Sequence, residues 1–448
     1  MKLRIGSALA VPAVLATLAA APVFATETRI NSMGGGVKLW TVEDESNIFD
    51  FPSLLTRWGN RVYVDNIVAA GTDQIPGGHF GFHYNLSDET VIAFFGAHIN
   101  SGTSAASSDG TSPNAGFVGA GNPITGGLSL GDATGPFIGV AGIAGGVANG
   151  EAPNTNAEYR YGLMFATQLG ASTRFGLSFH LLGDNADKDS PNNVQTDTGS
   201  LLFDIGIGLG VDLTGSELEL AAGIDIGILE SAADNQGTGV DLEDVWSGSH
   251  FGLRLSGRWT FDFFDQTKIV TYTQFLLASQ DVEQVNTTQV PAPSGSYSSL
   301  SFVLGADLRI EPFQGVIVSP GLGFYVAQQT QENPGTVEKD ANLLFGLPFY
   351  SIAVDLKLAD WVAMRFGAQQ FVNMLRESQT TAGSTNTDSK TDVLTTFAWG
   401  FGFNIPVAES SVAIDLALNP TFLNNGPHVL TGTATGQFAL NAALRYNW

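Results

Sequence analysis

Cysteine is absent from all 448 residues, so neither a disulfide framework nor a thiolate metal site can hold this chain together. After the N-terminus no apolar run reaches the roughly 20 residues a helix needs to cross a bilayer, which argues against a helical membrane protein. Basic residues are scarce, 19 against 43 acidic ones, giving a net charge of −24. Phosphate contacts need Lys and Arg, so no nucleic-acid partner is expected. Charged residues of both signs make up only 14% of the chain, while Gly reaches 54 and Phe 30. That balance suits one large closed sheet better than two or three soluble domains.

The first residues read as an export signal. Lys2 and Arg4 form a basic start, Ala8 to Ala21 an apolar run too short to span a bilayer, and Val23-Phe24-Ala25 a small-x-small cleavage site. Residues 1–25 are thus expected to be a signal peptide and the mature chain to begin at Thr26.

From Arg61 onward, segments of about ten residues alternate apolar and polar, the pattern of a transmembrane β-barrel, whose lipid-facing and lumen-facing side chains alternate. In Leu201 to Leu213 every odd position is apolar, and the even ones after Leu202 are Asp204, Gly206, Gly208, Gly210 and Asp212. Glu217 to Ile228 repeats the scheme, with Glu219 and Asp225 on the polar face. Sixteen strands are placed this way, with fourteen to eighteen compatible with an even count, the first at 61–69 and the last at 437–448. Connections after even-numbered strands are short and most after odd-numbered ones are long, as in barrels with tight periplasmic turns and long outer loops. The expected organisation is therefore a signal peptide, an N-terminal segment over 26–60 and an all-β antiparallel outer-membrane barrel over 61–448. The apolar stretch Gly135 to Ala144, inside the longest loop, reads as an extra strand, an outer lip or a segment folded into the lumen.

Phe438, Leu440, Leu444, Tyr446 and Trp448 share one face of the closing strand, with Asn441, Arg445 and Asn447 on the other. This resembles the C-terminal signal read by the barrel assembly machinery, an alternating apolar strand ending in an aromatic. Inward charges near the short turns, Arg174, Glu219, Arg254, Arg258, Asp307, Arg309, Arg365 and Arg445 among them, form a mixed-sign belt low in the lumen, because charge facing lipid is costly. The belt reads either as a solvated channel wall or as a grip on something inserted from the periplasmic side.

The segment before the first strand is a candidate for that insertion. Met33-Gly34-Gly35-Gly36, then Glu43-Asp44-Glu45, then Phe51-Pro52-Ser53-Leu54-Leu55 resembles the N-terminal hatch of FadL-like long-chain fatty acid transporters. Phe51 and Ser53 stand where that family has Asn and Ala, and fourteen strands rather than sixteen are usual in it. The resemblance implies a hatch folded inside the barrel; a related branch serves secretion of surface proteins instead. Glycines 34–36 would let the hatch backbone approach the wall and Pro52 would fix its exit. Glu43, Asp44 and Glu45 are expected to pair with Arg254, Arg258 and Arg309, and Trp40, Phe49 or Phe51 to meet a ligand.

The six histidines show no H-E-x-x-H, and no nucleophile elbow or phosphate loop is present. His79 and His83, on one strand face, would sit about 13 Å apart, too far for one metal ion. No enzyme, metal or organic cofactor is expected. Acidic loops could attract divalent cations that bridge lipopolysaccharide. Three functions remain: hatch-gated uptake of a small hydrophobic or amphipathic molecule, an open diffusion porin, or a scaffold for secretion or surface attachment.

Overall fold

The structure is a computed structural model that describes residues 27–33, 41–69, 79–98, 159–189, 194–235, 243–284, 294–332, 339–381, 384–418 and 440–448. Sixteen antiparallel strands close into one barrel, each paired with its neighbours in sequence and the last with the first. They are β1 Arg61–Ala69, β2 His79–Asn85, β3 Thr90–His98, β4 Tyr159–Leu169, β5 Thr173–Asp189, β6 Val194–Leu213, β7 Ser216–Asn235 and β8 Glu243–Phe264. The second half is β9 Thr267–Gln284, β10 Ser294–Phe313, β11 Val316–Glu332, β12 Lys339–Ala359, β13 Val362–Thr381, β14 Ser384–Val407, β15 Ser410–Leu418 and β16 Leu440–Asn447. No helix among the described residues is long and apolar enough to cross a membrane.

Alternation decides which way each side chain points. On β6 and β7, Ile205, Ile207, Leu220, Ile224 and Ile226 lie on the outside and are open to the surroundings, while Asp204, Glu219 and Asp225 face inward and are buried. An apolar exterior around a polar interior is the inverse of a soluble protein, and it makes this a transmembrane barrel. Exposed aromatics gather where strands meet the short turns: Trp259, Phe263, Phe264, Phe313, Trp361 and Trp448. The Trp rings among them, apolar with one polar N–H, favour that interface.

All sixteen expected strands are present, but most of those from β5 to β14 run further at the loop end than alternation indicates. β13 and β14 stay paired from Val362↔Phe403 up to Thr381↔Ser384, where a long loop was expected. Beyond the bilayer both faces meet water, so nothing selects an apolar face; the ladder goes on through backbone hydrogen bonds and cross-strand pairs such as Thr380 Oγ1 with Thr385 Oγ1 at 2.9 Å. The short turns fall where expected, several with positive φ, at Gly170, Gly215 and Gly315 and also at Gln266 and Ala408. The signal peptide, Gly34 to Gly36, Trp40, the stretch Gly135 to Ala144 and Phe438 lie outside the described residues.

Candidate functional site: the N-terminal segment and the charged lower lumen

Ahead of β1 the chain forms a short helix, α1 (Glu27–Ser32), and two 3₁₀ turns, Glu45–Phe49 and Pro52–Arg57. Pro52 opens the second turn, where its missing N–H costs nothing. These residues lie inside the barrel: α1 packs against β13 to β16 and β1, and the second turn against β3 to β6. Ile48, Phe49, Phe51, Leu54, Leu55 and Trp58 are buried in one apolar cluster with wall residues Val91, Phe95, Met164 and Ala166. Phe49 meets Phe95 edge-on at 5.0 Å. Met33 belongs to a second small cluster with Ala353 and Val42.

The wall has notches where this segment touches it. A Cβ on Gly176 would lie 2.2 Å from the carbonyl carbon of Pro52, and one on Gly208 would lie 2.9 Å from the amide nitrogen of Ser53. Across the barrel, a Cβ on Gly400 would come within 2.6 Å of the Ser32 Cβ. Backbone pressed against backbone leaves no room for any side chain, which is one use of inward glycine.

Charge pairs tie the same segment down. Arg29 of α1 reaches Asp44 at 3.3 Å and Asp355 of β12 at 3.1 Å. Burial disfavours its charge, but those two carboxylates more than offset this and raise its pKa. Asp355 also faces Arg365 at 3.5 Å, and Arg365, wholly buried, donates to Asp415 at 2.5 Å. Arg57 pairs with Glu43 at 2.9 Å and with Glu217, which Arg174 shares while also binding Asp212 at 2.7 Å. Burial opposes the Glu43 charge, yet Arg57 and then Arg309 hold its carboxyl below the usual range. Glu45 lies 3.3 Å from Arg61 and 3.5 Å from Arg445.

Of the inward charges expected from the sequence, Arg174, Glu219, Arg254, Arg258, Asp307, Arg365 and Arg445 are buried, and Arg309 is about a third exposed. Glu43 lies 3.9 Å from Arg309, an expected partner. Asp44 and Glu45 take Arg29, Arg61 and Arg445 instead. Arg258 pairs with Glu219, its register partner across β7 and β8, receives Phe51 beneath its guanidinium at 5.2 Å and donates to Asn47 at 3.2 Å. Arg254 is 3.8 Å from Asp50, and Asp307 accepts from Ser319 at 3.0 Å. Glu219 sits directly opposite Arg258 in the β7–β8 ladder and so occupies the place that a carboxylate of the N-terminal segment would need. Sequence reasoning did not single out Arg29, Asp50 or the glycine notches. The first two are ordinary charges in a short segment, and a notch is defined only by what presses into it.

At the closing strand, Leu444, Tyr446 and Trp448 face outward and Arg445 inward, with Leu440 at its start. Trp448 stacks on Phe82 at 5.8 Å and on Tyr446 at 6.0 Å. No group of His, Asp or Glu able to hold a metal ion occurs among the described residues.

No protein-family model and no curated protein matches the chain. Among solved structures it is similar to the toluene transporter TodX of Pseudomonas putida, at 11% identity and a TM-score of 0.36, over 95% of this chain and 99% of that one. The toluene transporter TbuX of Ralstonia pickettii gives 9% identity and a TM-score of 0.36 over 95% and 98%. The ferric yersiniabactin uptake receptor FyuA of Yersinia pestis gives 10% and 0.38; the match takes in 58% of this chain and 44% of the receptor's length.

Proposed function

We propose that this chain is an outer-membrane channel for passive uptake of small hydrophobic or amphipathic molecules, gated by residues 26–60 acting as a hatch. The observation that carries the reading is the packing of Ile48, Phe49, Phe51, Leu54 and Leu55 against Phe95, Met164 and Ala166 of the wall. An open diffusion porin has no use for an apolar plug across its lower lumen; a channel that opens on demand has. The chain would be exported by its signal peptide and inserted by the barrel assembly machinery, with outer-membrane lipid and lipopolysaccharide around it.

An amphipathic ligand that opens the channel has to compete for the wall surface that Phe49 and Phe51 bury. Opening follows if the ligand binds the displaced hatch better than the docked one, since only differential affinity moves such an equilibrium. Single-channel conductance of the refolded mature chain in a planar bilayer tests this reading. Wild type stays near-silent, and deletion of 27–51 gives a steady ohmic pore. A steady open state in the wild-type protein, or a deletion that changes nothing, sinks the hatch and leaves the diffusion porin.

A further inference from the structure

A barrel closes where its first and last strands meet, here β1 and β16. Their ladder runs from Arg61↔Asn447 to Ala69↔Leu440, with an irregularity between Val64 and Ile67. Two guanidiniums point into the lumen at this seam, Arg61 from β1 and Arg445 from β16, and both are buried. Zipping the strands therefore brings two like charges together out of water. One carboxylate lies between them: Oε2 of Glu45 is 3.3 Å from Nη1 of Arg61 and 3.5 Å from Nη1 of Arg445. Its Oε1 lies 3.3 Å from Nδ1 of His83 on β2, a nitrogen that is also 2.7 Å from the carbonyl oxygen of Trp58. Glu45 thus touches three consecutive strands that include the seam.

Neighbouring contacts agree. The Arg61 guanidinium lies over the Trp58 ring at 5.0 Å. The Trp448 amide donates to the carbonyl of Asn60 at 3.2 Å, and the Thr28 hydroxyl donates to Asp65 of β1 at 2.5 Å. Outside, the Phe82–Trp448 stack reaches across β1 from the lipid side.

We propose that the N-terminal segment has a second task, as the internal clasp of barrel closure: Glu45 supplies the counter-charge that lets Arg61 and Arg445 meet, buried, inside the barrel. Closure then requires the segment to be docked before β1 and β16 zip, which makes correct plugging a condition of correct assembly. This task does not depend on what the channel carries.

Hydrogen exchange, read by peptide mass spectrometry on the refolded mature chain, tests it. In Glu45→Gln, exchange in β1 and β16 rises on the order of 100-fold, the scale of a broken buried pair, while β8 and β9 keep wild-type protection. The triple variant Glu45→Gln, Arg61→Gln, Arg445→Gln, which removes both guanidiniums together with the carboxylate they share, regains seam protection to within about tenfold of wild type. Asp50→Asn, which removes the partner of Arg254 away from the seam, leaves β1 and β16 protected. Wild-type seam exchange in Glu45→Gln overturns the clasp, as does equal loss of protection in β8 and β9. If Glu45→Gln does not fold and the triple variant does, the clasp stands; if neither folds, charge neutralisation is not what closes the seam.

Discussion

Gly176→Ala is the smallest change that should push the hatch off its seat. The new Cβ would sit 2.2 Å from the Pro52 carbonyl carbon, where ordinary contact begins at 3.4 Å. Both partners are backbone, one in a strand held on each side by a ladder and the other locked by proline, so no side chain can rotate away. The segment must retreat by about 1 Å or leave. Overpacking of this kind costs about 2 kcal/mol, and at 1.4 kcal/mol per tenfold this moves a docked–displaced equilibrium by roughly 30-fold. In planar bilayers, open probability should rise by that order while the unheated protein keeps the gel mobility of a folded barrel and shifts to that of the unfolded chain only on heating, as wild type does. Gly257→Ala is the control, since its Cβ would meet nothing closer than the Thr273 Cγ2 at 3.3 Å. A folded Gly176→Ala barrel as silent as wild type refutes the reasoning, and equal opening by Gly257→Ala shows that any strand glycine would have done.

Two further outcomes follow from the same contacts. Glu43 has a pKa lowered in the folded state, chiefly by Arg57 and Arg309 against the opposing effect of burial, so its contribution is present above the usual carboxylate pKa and lost as pH falls through the lower folded value. Leak through the wild-type channel should therefore rise below the usual carboxylate range, by roughly two- to fivefold for a partly exposed pair, and Glu43→Gln should leak to that extent at neutral pH; an acid response that persists in Glu43→Gln assigns it elsewhere. Trp448→Ala removes the stack on Phe82 and should cost the barrel about 1 kcal/mol, read as a lower midpoint of heat-induced mobility change, whereas an unchanged midpoint means lipid replaces the ring without loss.

Alternation was legible because lipid enforces it. Leu201 to Leu213 and Glu217 to Ile228 point as their periodicity requires, and Thr214 with Gly215 between them fixes the register that sets Glu219 opposite Gly210. Where lipid ends, that signal ends as well, and the upper parts of β13 and β14 read as loop although their ladder is continuous. The belt was legible as a set of inward charges, because each one's face follows from its own strand. Its pairings into the hatch were not: Arg29 meets Asp355 across 326 positions, and no local pattern carries such a distance.

The hatch contacts divide the work between two kinds of interaction. Apolar burial of Ile48, Phe51, Leu54 and Leu55 supplies attraction without direction, and alone it would let the segment slide along the wall. Buried ion pairs add little net stability over apolar packing, but breaking one by misplacing its partner is expensive, so each penalises a wrong position. Arg29 against Asp355, Asp50 against Arg254 and Glu45 against Arg445 lie on different sides of the barrel, and together they leave the segment one seat. The notches at Gly176, Gly208 and Gly400 set how deep that seat is. A segment held this way is docked uniquely without being docked immovably: on the proposed gating, a ligand need only compensate the few pairs on the side it would lift.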